Sequence, residues 1–379
     1  AEPGPAPPAR RPPPRARAPA EPIDSVPRAF QRVRRGARTR VPVVVPTPSM
    51  AKSTVTANPV KVDADNVSTA IASVQFKDAN GNNLTVEASK VEILLDNVAV
   101  SFTGKGNGLF EAIVPARTVA KVVAVTARYD GSTLDNTASV EFVPVVNPAL
   151  TVVSATPATV NADGTSTSTV TVTYKDYAGN PIAVAPADAA ILLDNSVVSK
   201  TANGTGVYTA TVPARTAAET IAVTATYKGS TVSSTASVYF VATLNLAATT
   251  ITANPTTVPA NGTATSTATV TFKDYAGNNI AVDTDKLAIL LNGTGTSFTS
   301  NVAGVYTAVV PARTTAESVE VTAKYDGSTV NASATVSFVS VVNLAATVVS
   351  ASPATVNANG TSTATAKVEF KDYAGNPID

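Results

Sequence analysis

Short segments of alternating apolar and polar residues follow one another along residues 51–379. In one of them Val170, Val172 and Tyr174 alternate with three threonines. An alternation with a period of two is typical of a β-strand that buries one face, and β-branched threonine suits the solvated face. The pattern therefore predicts a strand whose Val170, Val172 and Tyr174 side chains face a core.

This segment belongs to a unit that repeats every 98 residues. The phrase Lys-Asp-Tyr-Ala-Gly-Asn follows the predicted strand, and its copies begin at Lys175, Lys273 and Lys371, with a diverged copy at Lys77. The triplet Pro-Ala-Arg keeps the same step, beginning at Pro115, Pro213 and Pro311. A unit of this size is far longer than a solenoid repeat and long enough to bury its own core. The period predicts a tandem array of separately folded domains.

The repeated phrase itself predicts a turn between two strands. Gly179 accepts a positive φ, and the Asp176 and Asn180 side chains bond readily to nearby backbone. An apolar run over residues 190–193 predicts the next core strand. A further strand begins at Gly206 and ends at Pro213, which lacks the N–H needed to continue a ladder.

The last third of each unit predicts a β-hairpin. In the third unit Val319, Val321, Ala323 and Tyr325 alternate with polar residues, and Asp326-Gly327 is a favoured tight-turn pair. The return arm carries apolar residues at Ala334, Val336 and Phe338. About seven short strands per unit and no helical period predict an all-β fold of tandem immunoglobulin-like β-sandwiches.

The period also predicts the domain boundaries. We expect repeats at residues 51–148, 149–246 and 247–344, and a truncated fourth repeat at residues 345–379. Two strands of about seven cannot close a sandwich, so we expect the natural protein to continue beyond Asp379. The links between repeats are short and apolar, without Gly/Ser runs, and they predict limited bending in a beads-on-a-rod array.

Residues 1–50 differ in composition from the rest of the chain. They are rich in Pro, Ala and Arg, lack an apolar period, and are predicted to be disordered or locally extended. Three interpretations stay open: a basic tether for nucleic acid or anionic lipid, a linker from an upstream domain, or residues foreign to the natural reading frame. No apolar core typical of a signal peptide occurs here, and no stretch of about 18 apolar residues occurs anywhere in the chain.

Composition narrows the possible chemistry. The chain has no Cys, His or Trp, which excludes thiol nucleophiles, disulfides, Cys/His zinc sites and imidazole bases. Ten Arg against two Glu and one Asp give residues 1–40 a charge of +7, so the total of +1 leaves −6 for the remainder. A mildly acidic array covered with Thr and Ser is not expected to bind nucleic acid.

Three sets of recurring side chains are candidates for a site. The aspartates of the repeated turn favour turn capping over Ca²⁺, which needs six to eight oxygen ligands; they are Asp176, Asp274 and Asp372, with Asn180, Asn278 and Asn376 nearby. The Pro-Ala-Arg arginines favour a structural ion pair or a carbonyl clasp over a ligand contact; they are Arg117, Arg215 and Arg313. An isopeptide cross-link to Asn is an alternative for Lys77, Lys175 and Lys273.

Asn-x-Ser/Thr triplets also occur, and in a Thr-rich chain they are expected by chance. They begin at Asn66, Asn83, Asn203, Asn261, Asn292, Asn331 and Asn359. We do not expect glycosylation at them. No acidic residue stands outside the repeat pattern as a catalytic candidate would, so no catalytic residue, metal site or cofactor is predicted.

Several stretches resemble the group 1 bacterial immunoglobulin-like domain of invasin- and intimin-like adhesins. They are residues 160–166, 175–181 and 206–208, and the resemblance covers residues 51–379. It implies a stalk of immunoglobulin-like repeats that carries a receptor-binding tip away from the outer membrane. Nothing in residues 1–379 matches the signal peptide, anchor or cysteine-bearing tip of the full-length family proteins, so only the spacer role carries over.

The sequence therefore predicts a non-enzymatic stalk segment of a surface adhesin. Its expected location is the bacterial cell surface, in a parent protein anchored to the outer membrane. Its expected partners are the neighbouring repeats of the same chain and, through the parent protein, a host receptor or glycan. The alternative is that an exposed sheet face of each repeat binds host protein or surface glycans, with affinity that rises with repeat number.

Overall fold

The computed structural model describes residues 46–378, so most of the segment predicted to be disordered lies outside the described residues. Ten strands form the first domain: β1 (Thr54–Asn58), β2 (Lys61–Asp63), β3 (Ala70–Gln75), β4 (Val91–Leu95), β5 (Val98–Val100), β6 (Thr103–Gly106), β7 (Leu109–Val114), β8 (Lys121–Tyr129), β9 (Ser132–Thr133) and β10 (Ala138–Val143). The residues just before β4 form a single 3₁₀ turn, Ala88–Lys90.

The second and third domains repeat this order. The second contains β11 (Val152–Thr156), β12 (Thr159–Ala162), β13 (Ser168–Thr173), β14 (Ala189–Leu193), β15 (Ser196–Val198), β16 (Thr201–Ala202), β17 (Val207–Val212), β18 (Glu219–Tyr227), β19 (Ser230–Thr231) and β20 (Ala236–Ala242). The third contains β21 (Leu244–Asn254), β22 (Thr257–Pro259), β23 (Ser266–Asp274), β24 (Leu287–Leu291), β25 (Thr294–Thr296), β26 (Thr299–Val302), β27 (Val305–Val310), β28 (Glu317–Tyr325), β29 (Ser328–Thr329) and β30 (Ala334–Val339). Their 3₁₀ turns are Pro186–Asp188 and Thr284–Lys286.

Each domain is a sandwich of two sheets. In the first domain one sheet has the order β1-β3-β7-β6, and the other has the order β2-β10-β8-β4-β5 with β9 paired to β8. Neighbouring strands are antiparallel except for β2 and β10, which are parallel, as are β12 with β20 and β22 with β30. The predicted all-β tandem sandwich is confirmed. The count of ten exceeds the expected seven because strands such as β9 and β19 have only two residues, too few to show an alternation.

The buried faces follow the predicted alternation. Val170, Val172 and Tyr174 have no exposed surface, and the hydroxyl of Tyr174 donates a hydrogen bond to the Thr226 carbonyl at 2.7 Å. The ring of Tyr174 meets the edge of Tyr208, with centroids 6.0 Å apart. Phe76 with Phe110 and Phe272 with Tyr306 form the same pair at 5.8 and 5.7 Å. Such edge contacts add to the burial of aliphatic side chains that forms each core.

The predicted hairpin is confirmed in the third domain. β28 pairs with β30, so that Val319 lies opposite Val336 and Val321 opposite Ala334. The tight turn joins β28 to β29, with Tyr325 opposite Ser328, and its residues Asp326 and Gly327 both have positive φ, 46° and 77°. This is the backbone that a two-residue turn needs to match the twist of its strands.

The links between domains contain one or two residues. Two residues, Pro144 and Val145, separate the end of β10 from Val146, which bridges to Asp176 and packs in the core of the second domain. Only Thr243 separates β20 from β21. Within the described chain the links are therefore as short as the sequence predicts.

A two-stranded sheet follows the third domain. It consists of β31 (Val348–Ser352) and β32 (Thr365–Glu369). Val349 is 72% exposed and Phe370 47% exposed, whereas their counterparts one hundred and ninety-six residues earlier, Val153 and Tyr174, are 5% and 0% exposed. The two described strands leave open the face that the other domains bury.

Candidate functional site

The repeated turn is stabilised by its aspartate. The Asp176 carboxylate accepts hydrogen bonds from the backbone N–H of Ala178 at 2.9 Å and of Asn180 at 2.8 Å. Gly179 has a φ of 88°, and its N–H donates to the Asp176 carbonyl at 3.0 Å. Hydrogen bonds from backbone and side chain also hold the pKa of the equivalent Asp372 below its ordinary value, the Asn376 backbone N–H being the main cause. The carboxylates thus cap turns, as predicted.

The alternative of a metal site finds no support in this geometry. Each turn contributes one carboxylate, whose Oδ1 atom is already occupied by N–H donors. Within residues 46–378 no three acidic side chains come close enough to hold a metal ion together. The turn is a construction element of every repeat.

The arginines of the Pro-Ala-Arg triplet form a clasp in the second and third domains. Arg215 donates from one terminal nitrogen to the carbonyls of Pro213 and Ala214 at 3.1 and 3.3 Å. Its guanidinium carbon lies 6.0 Å from the centroid of the Phe240 ring on the last strand, within cation–π range. Its Nε atom forms an ion pair with Glu219, four residues further along the chain. Arg313 repeats all of these contacts with its own neighbours.

The first domain departs from this arrangement. Arg117 also lies over a phenylalanine ring, at 5.9 Å from the centroid of Phe142. The residue four positions later is Lys121 instead of glutamate. The Nε atom of Arg117 is buried, and no hydrogen-bond partner for it occurs in the described part of the chain. The prediction of a structural ion pair therefore holds for two of the three arginines.

The lysines of the repeated phrase do not form a buried cluster. Lys273 donates from Nζ to the Asn279 side-chain oxygen at 2.8 Å, in an exposed contact. The geometry is an ordinary surface hydrogen bond. The isopeptide alternative gains nothing from it.

A groove lined by threonines recurs in two domains. In the second domain it has a volume of about 420 Å³ and lies between β17 and the link from β15 to β16, with Thr169, Thr201, Thr209 and Lys200 in its wall. In the third domain its volume is about 220 Å³, and the lining includes Thr267, Thr299 and Thr307. Both grooves are shallow and uncharged except for Lys200. They offer hydroxyl groups and a little apolar surface to a ligand.

Sequence reasoning missed the special character of the first domain. The signal was present, since Lys121 stands where the aligned repeats have Glu219 and Glu317, and Asn66 stands where they have Gly164 and Gly262. Its meaning depends on the clasp, which only the fold displays.

Among the described residues no helix has the length and hydropathy needed to cross a membrane. No match was found among curated proteins. Solved structures similar to this chain include FdeC, an adhesin of Escherichia coli, with 23% identity, a TM-score of 0.42, and coverage of 78% of this chain and 99% of the other. Invasin, a bacterial integrin-binding protein, is 22% identical with a TM-score of 0.45, and the match covers 78% of this chain and 62% of invasin. InvD of Yersinia pseudotuberculosis is 19% identical with a TM-score of 0.36, covering 76% of this chain and 97% of that one.

The family described as invasin, domain 3, matches three successive segments of the chain. They are residues 49–145, 147–243 and 245–341, and together they take up well over half of its length. Each segment corresponds to one sandwich with its repeated turn, and the segments of the second and third domains include the arginine clasp. The chain belongs to the invasin domain 3 family and carries three copies of that domain in tandem.

Proposed function

We propose that the chain is a non-enzymatic spacer segment of a bacterial cell-surface adhesin. The observation that supports this most is the succession of like domains joined by links of one or two residues. Repeats of residues 51–148, 149–246 and 247–344 act as units of length in this proposal. Its chemical role is mechanical, and no reaction is assigned to it.

The links carry the argument for stiffness. A residue adds at most about 3.3 to 3.6 Å of contour, so two residues leave a domain little room to swing away from its neighbour. The residue after the first link, Val146, is only 7% exposed because it packs in the core of the next domain. Links of this kind lack the freedom of Gly/Ser linkers, which behave as random coils.

The family supports a proposal for location and partners. FdeC is described as an adhesin and invasin as an integrin-binding protein. By analogy we place this chain on the bacterial surface, in a parent protein anchored in the outer membrane, with contact to the host made elsewhere in that parent.

Spin labels test the spacer role directly. The chain has no Cys, so Ser132→Cys with Ser230→Cys labels two equivalent exposed positions, at the starts of β9 and β19 in adjacent domains. Pulsed electron–electron double resonance between the two spin labels should give a narrow distance distribution. A matched control with Gly-Ser-Gly-Ser inserted between Pro144 and Val145 should broaden it. A native distribution as broad as that of the control would contradict a stiff spacer.

The recurring threonine groove favours a second candidate, a multivalent binding module for surface glycans. Hydroxyl-lined grooves in successive domains would raise the avidity of the whole chain for a repeated ligand. Screening the full chain on a glycan array tests this. Thr209→Val with Thr307→Val should abolish a signal, whereas Thr224→Val with Thr322→Val on the opposite sheet should preserve it. A signal that survives the first pair, or no signal at all, would remove this candidate.

A further inference from the structure

One end of the first domain carries a cluster of polar side chains that differs in charge from the same positions of the other domains. It consists of Asn66, Asp96, Arg117 and Lys121, and we refer to it as the cationic corner. Arg117 lies on the turn after β7, Lys121 begins β8, and Asp96 follows β4. Asn66 is joined to the corner because its N–H donates to the Arg117 carbonyl at 3.0 Å.

The same corner in the other domains holds a carboxylate of the chain itself. Glu219 pairs with the Nε atom of Arg215, and Glu317 pairs with the Nε atom of Arg313. A guanidinium held over a phenylalanine ring, with its Nε edge paired to a carboxylate, is thus the arrangement of the second and third domains. The second and third domains show that a glutamate side chain fits this edge.

In the first domain the carboxylate is missing. Lys121 takes the place of the glutamate, and its Nζ atom turns to Asp96 at 2.7 Å. The hydrogen bond from Lys121 and that from the Ala124 N–H hold the pKa of Asp96 below its ordinary value, so Asp96 stays ionised. The Nε atom of Arg117 remains buried without a hydrogen-bond partner among residues 46–378. A buried donor left in this state is rare in native proteins and calls for an explanation.

A cavity of about 280 Å³ lies beside the unpaired guanidinium. Its walls are Asn66, Ala116, Arg117, Thr118, Val119 and Lys121. Asn66 adds a side-chain amide where Gly164 and Gly262 have none. The replacements at Asn66 and Lys121 therefore fall on one cavity, and each adds a donor or removes a carboxylate.

The charge of the corner changes accordingly. One guanidinium, one ammonium and the Asp96 carboxylate leave one positive charge in the first domain. In the second domain the same three positions are Arg215, Glu219 and Asp194, which leave one negative charge. A single positive charge beside a cavity of this size attracts a monoanion.

We propose that the cationic corner binds the carboxylate of a glutamyl or aspartyl side chain presented by a partner protein. The carboxylate accepts from the Nε edge of Arg117 in the place that Glu219 occupies in the second domain, with Lys121 and Asn66 as further donors. Binding needs a small shift of the side chains that now cover Nε. Val119, which is 57% exposed beside the cavity, provides apolar contact for the residue next to the acidic one. This site adds to the spacer role and does not depend on it.

Nuclear magnetic resonance of the isotope-labelled full chain tests the site with a small probe. The probe is N-acetylglutamic acid amide, and N-acetylglutamine amide at the same ionic strength is its neutral control. We expect saturable shifts of the Arg117 Nε–H and of the Asn66 and Thr118 backbone amides with the acidic probe alone. The equivalent signals of Arg215 and Arg313 should stay still and serve as internal controls.

Two variants sharpen the test. Lys121→Glu restores the carboxylate that the other domains carry, so the variant should fold normally. Its affinity for the acidic probe should be at least tenfold lower. Glu219→Lys combined with Gly164→Asn transplants the corner and should give the second domain a new saturable shift. Lys61→Gln, which changes an exposed lysine outside the corner, should leave the affinity unchanged.

Three results would overturn the proposal. They are the lack of a saturable shift, equal shifts at all three arginines, and an affinity unaffected by Lys121→Glu in a variant whose amide spectrum shows it to be folded. A fourth arm distinguishes the source of the carboxylate. If the methyl glycoside of N-acetylneuraminic acid binds at least tenfold more tightly than the glutamyl probe, the partner is an acidic glycan and the assignment to a protein is wrong.

Discussion

Gly206 is one of three equivalent glycines, with Gly108 and Gly304, at which a side chain would collide with neighbouring backbone. Its φ is 68°, and a Cβ atom added there would lie 2.2 Å from the carbonyl oxygen of Ile182 and 2.9 Å from the carbonyl carbon. Gly179 offers a matched control, because its φ of 88° is similar but nothing lies within 4 Å of an added Cβ. Comparing Gly206→Ala with Gly179→Ala separates the close approach of two backbone segments from the strain of positive φ alone.

The structure supplies the magnitudes. A positive φ costs an alanine about 1 to 2 kcal/mol at either position. At Gly206 the backbone must also move, which disturbs two hydrogen bonds, from the Tyr174 N–H to the Gly206 carbonyl at 2.8 Å and from the Ile182 N–H to the Tyr174 carbonyl at 3.0 Å. With about 1 kcal/mol for each bond, Gly206→Ala should lower the free energy of unfolding by about 3 to 4 kcal/mol, against about 1 to 2 kcal/mol for Gly179→Ala.

Hydrogen exchange of the full chain in increasing urea measures this domain by domain. Mass spectrometry of peptides from the second domain should show the loss, while peptides from the first and third domains report no change. Equal losses for Gly206→Ala and Gly179→Ala would refute the close approach. A loss spread over all three domains would refute their independence.

Three further predictions concern the second domain. Burial raises the pKa of Tyr174 from 10.0 to about 12, so this tyrosine ionises at a lower pH in the unfolded chain than in the folded one. The free energy of unfolding that Tyr174 contributes is therefore fully present below pH 10 and should be lost between pH 10 and 12. Tyr174→Phe should remove that part of the fall, as read from urea midpoints at pH 9 and 11.5. Hydrogen bonds from Ser166 lower the pKa of Asp163, so its contribution should be lost as the pH falls below the ordinary carboxyl range. Asp163→Asn should reduce the change in the urea midpoint between pH 7 and pH 3. A change as large as that of the unsubstituted chain would contradict this. Arg215→Lys should cost about 1 kcal/mol, measured by the same exchange, because lysine cannot both bond the turn carbonyls and cover Phe240.

The sequence was most informative where one face of a strand is buried. The alternation at Val170, Val172 and Tyr174 reflects a sheet with one solvent-exposed face, and the structure buries the predicted side chains. The pairing of β12 with β20 could not be predicted in the same way. Its partners lie about eighty residues apart and β12 has four residues, so neither local propensity nor a turn signal marks the contact.

The candidate site was predictable only in part. The recurrence of the Pro-Ala-Arg triplet indicated a structural role, and the carbonyl contacts of Arg215 and Arg313 agree with it. The glutamate four residues later completes the clasp only because the turn after β17 folds back over Phe240. The sequence alone does not indicate this folding back. The loss of that partner in the first domain is written in the sequence as Lys121, but only burial of the Arg117 Nε atom gives the change a physical meaning.

The parallel pairing of the second and last strands has a mechanical consequence. In the first domain the chain enters through β1, passes directly into β2 and leaves at the end of β10. β2 and β10 run side by side in the same direction, with Lys61 opposite Glu141. Tension between the ends of the domain therefore pulls these strands past each other along their length. Their evenly spaced hydrogen bonds then resist together, instead of opening one after another as at the free end of a hairpin. With this connectivity, tension along the chain acts parallel to the two strands. We expect the domain to stay folded under a force that would separate strands pulled perpendicular to their length.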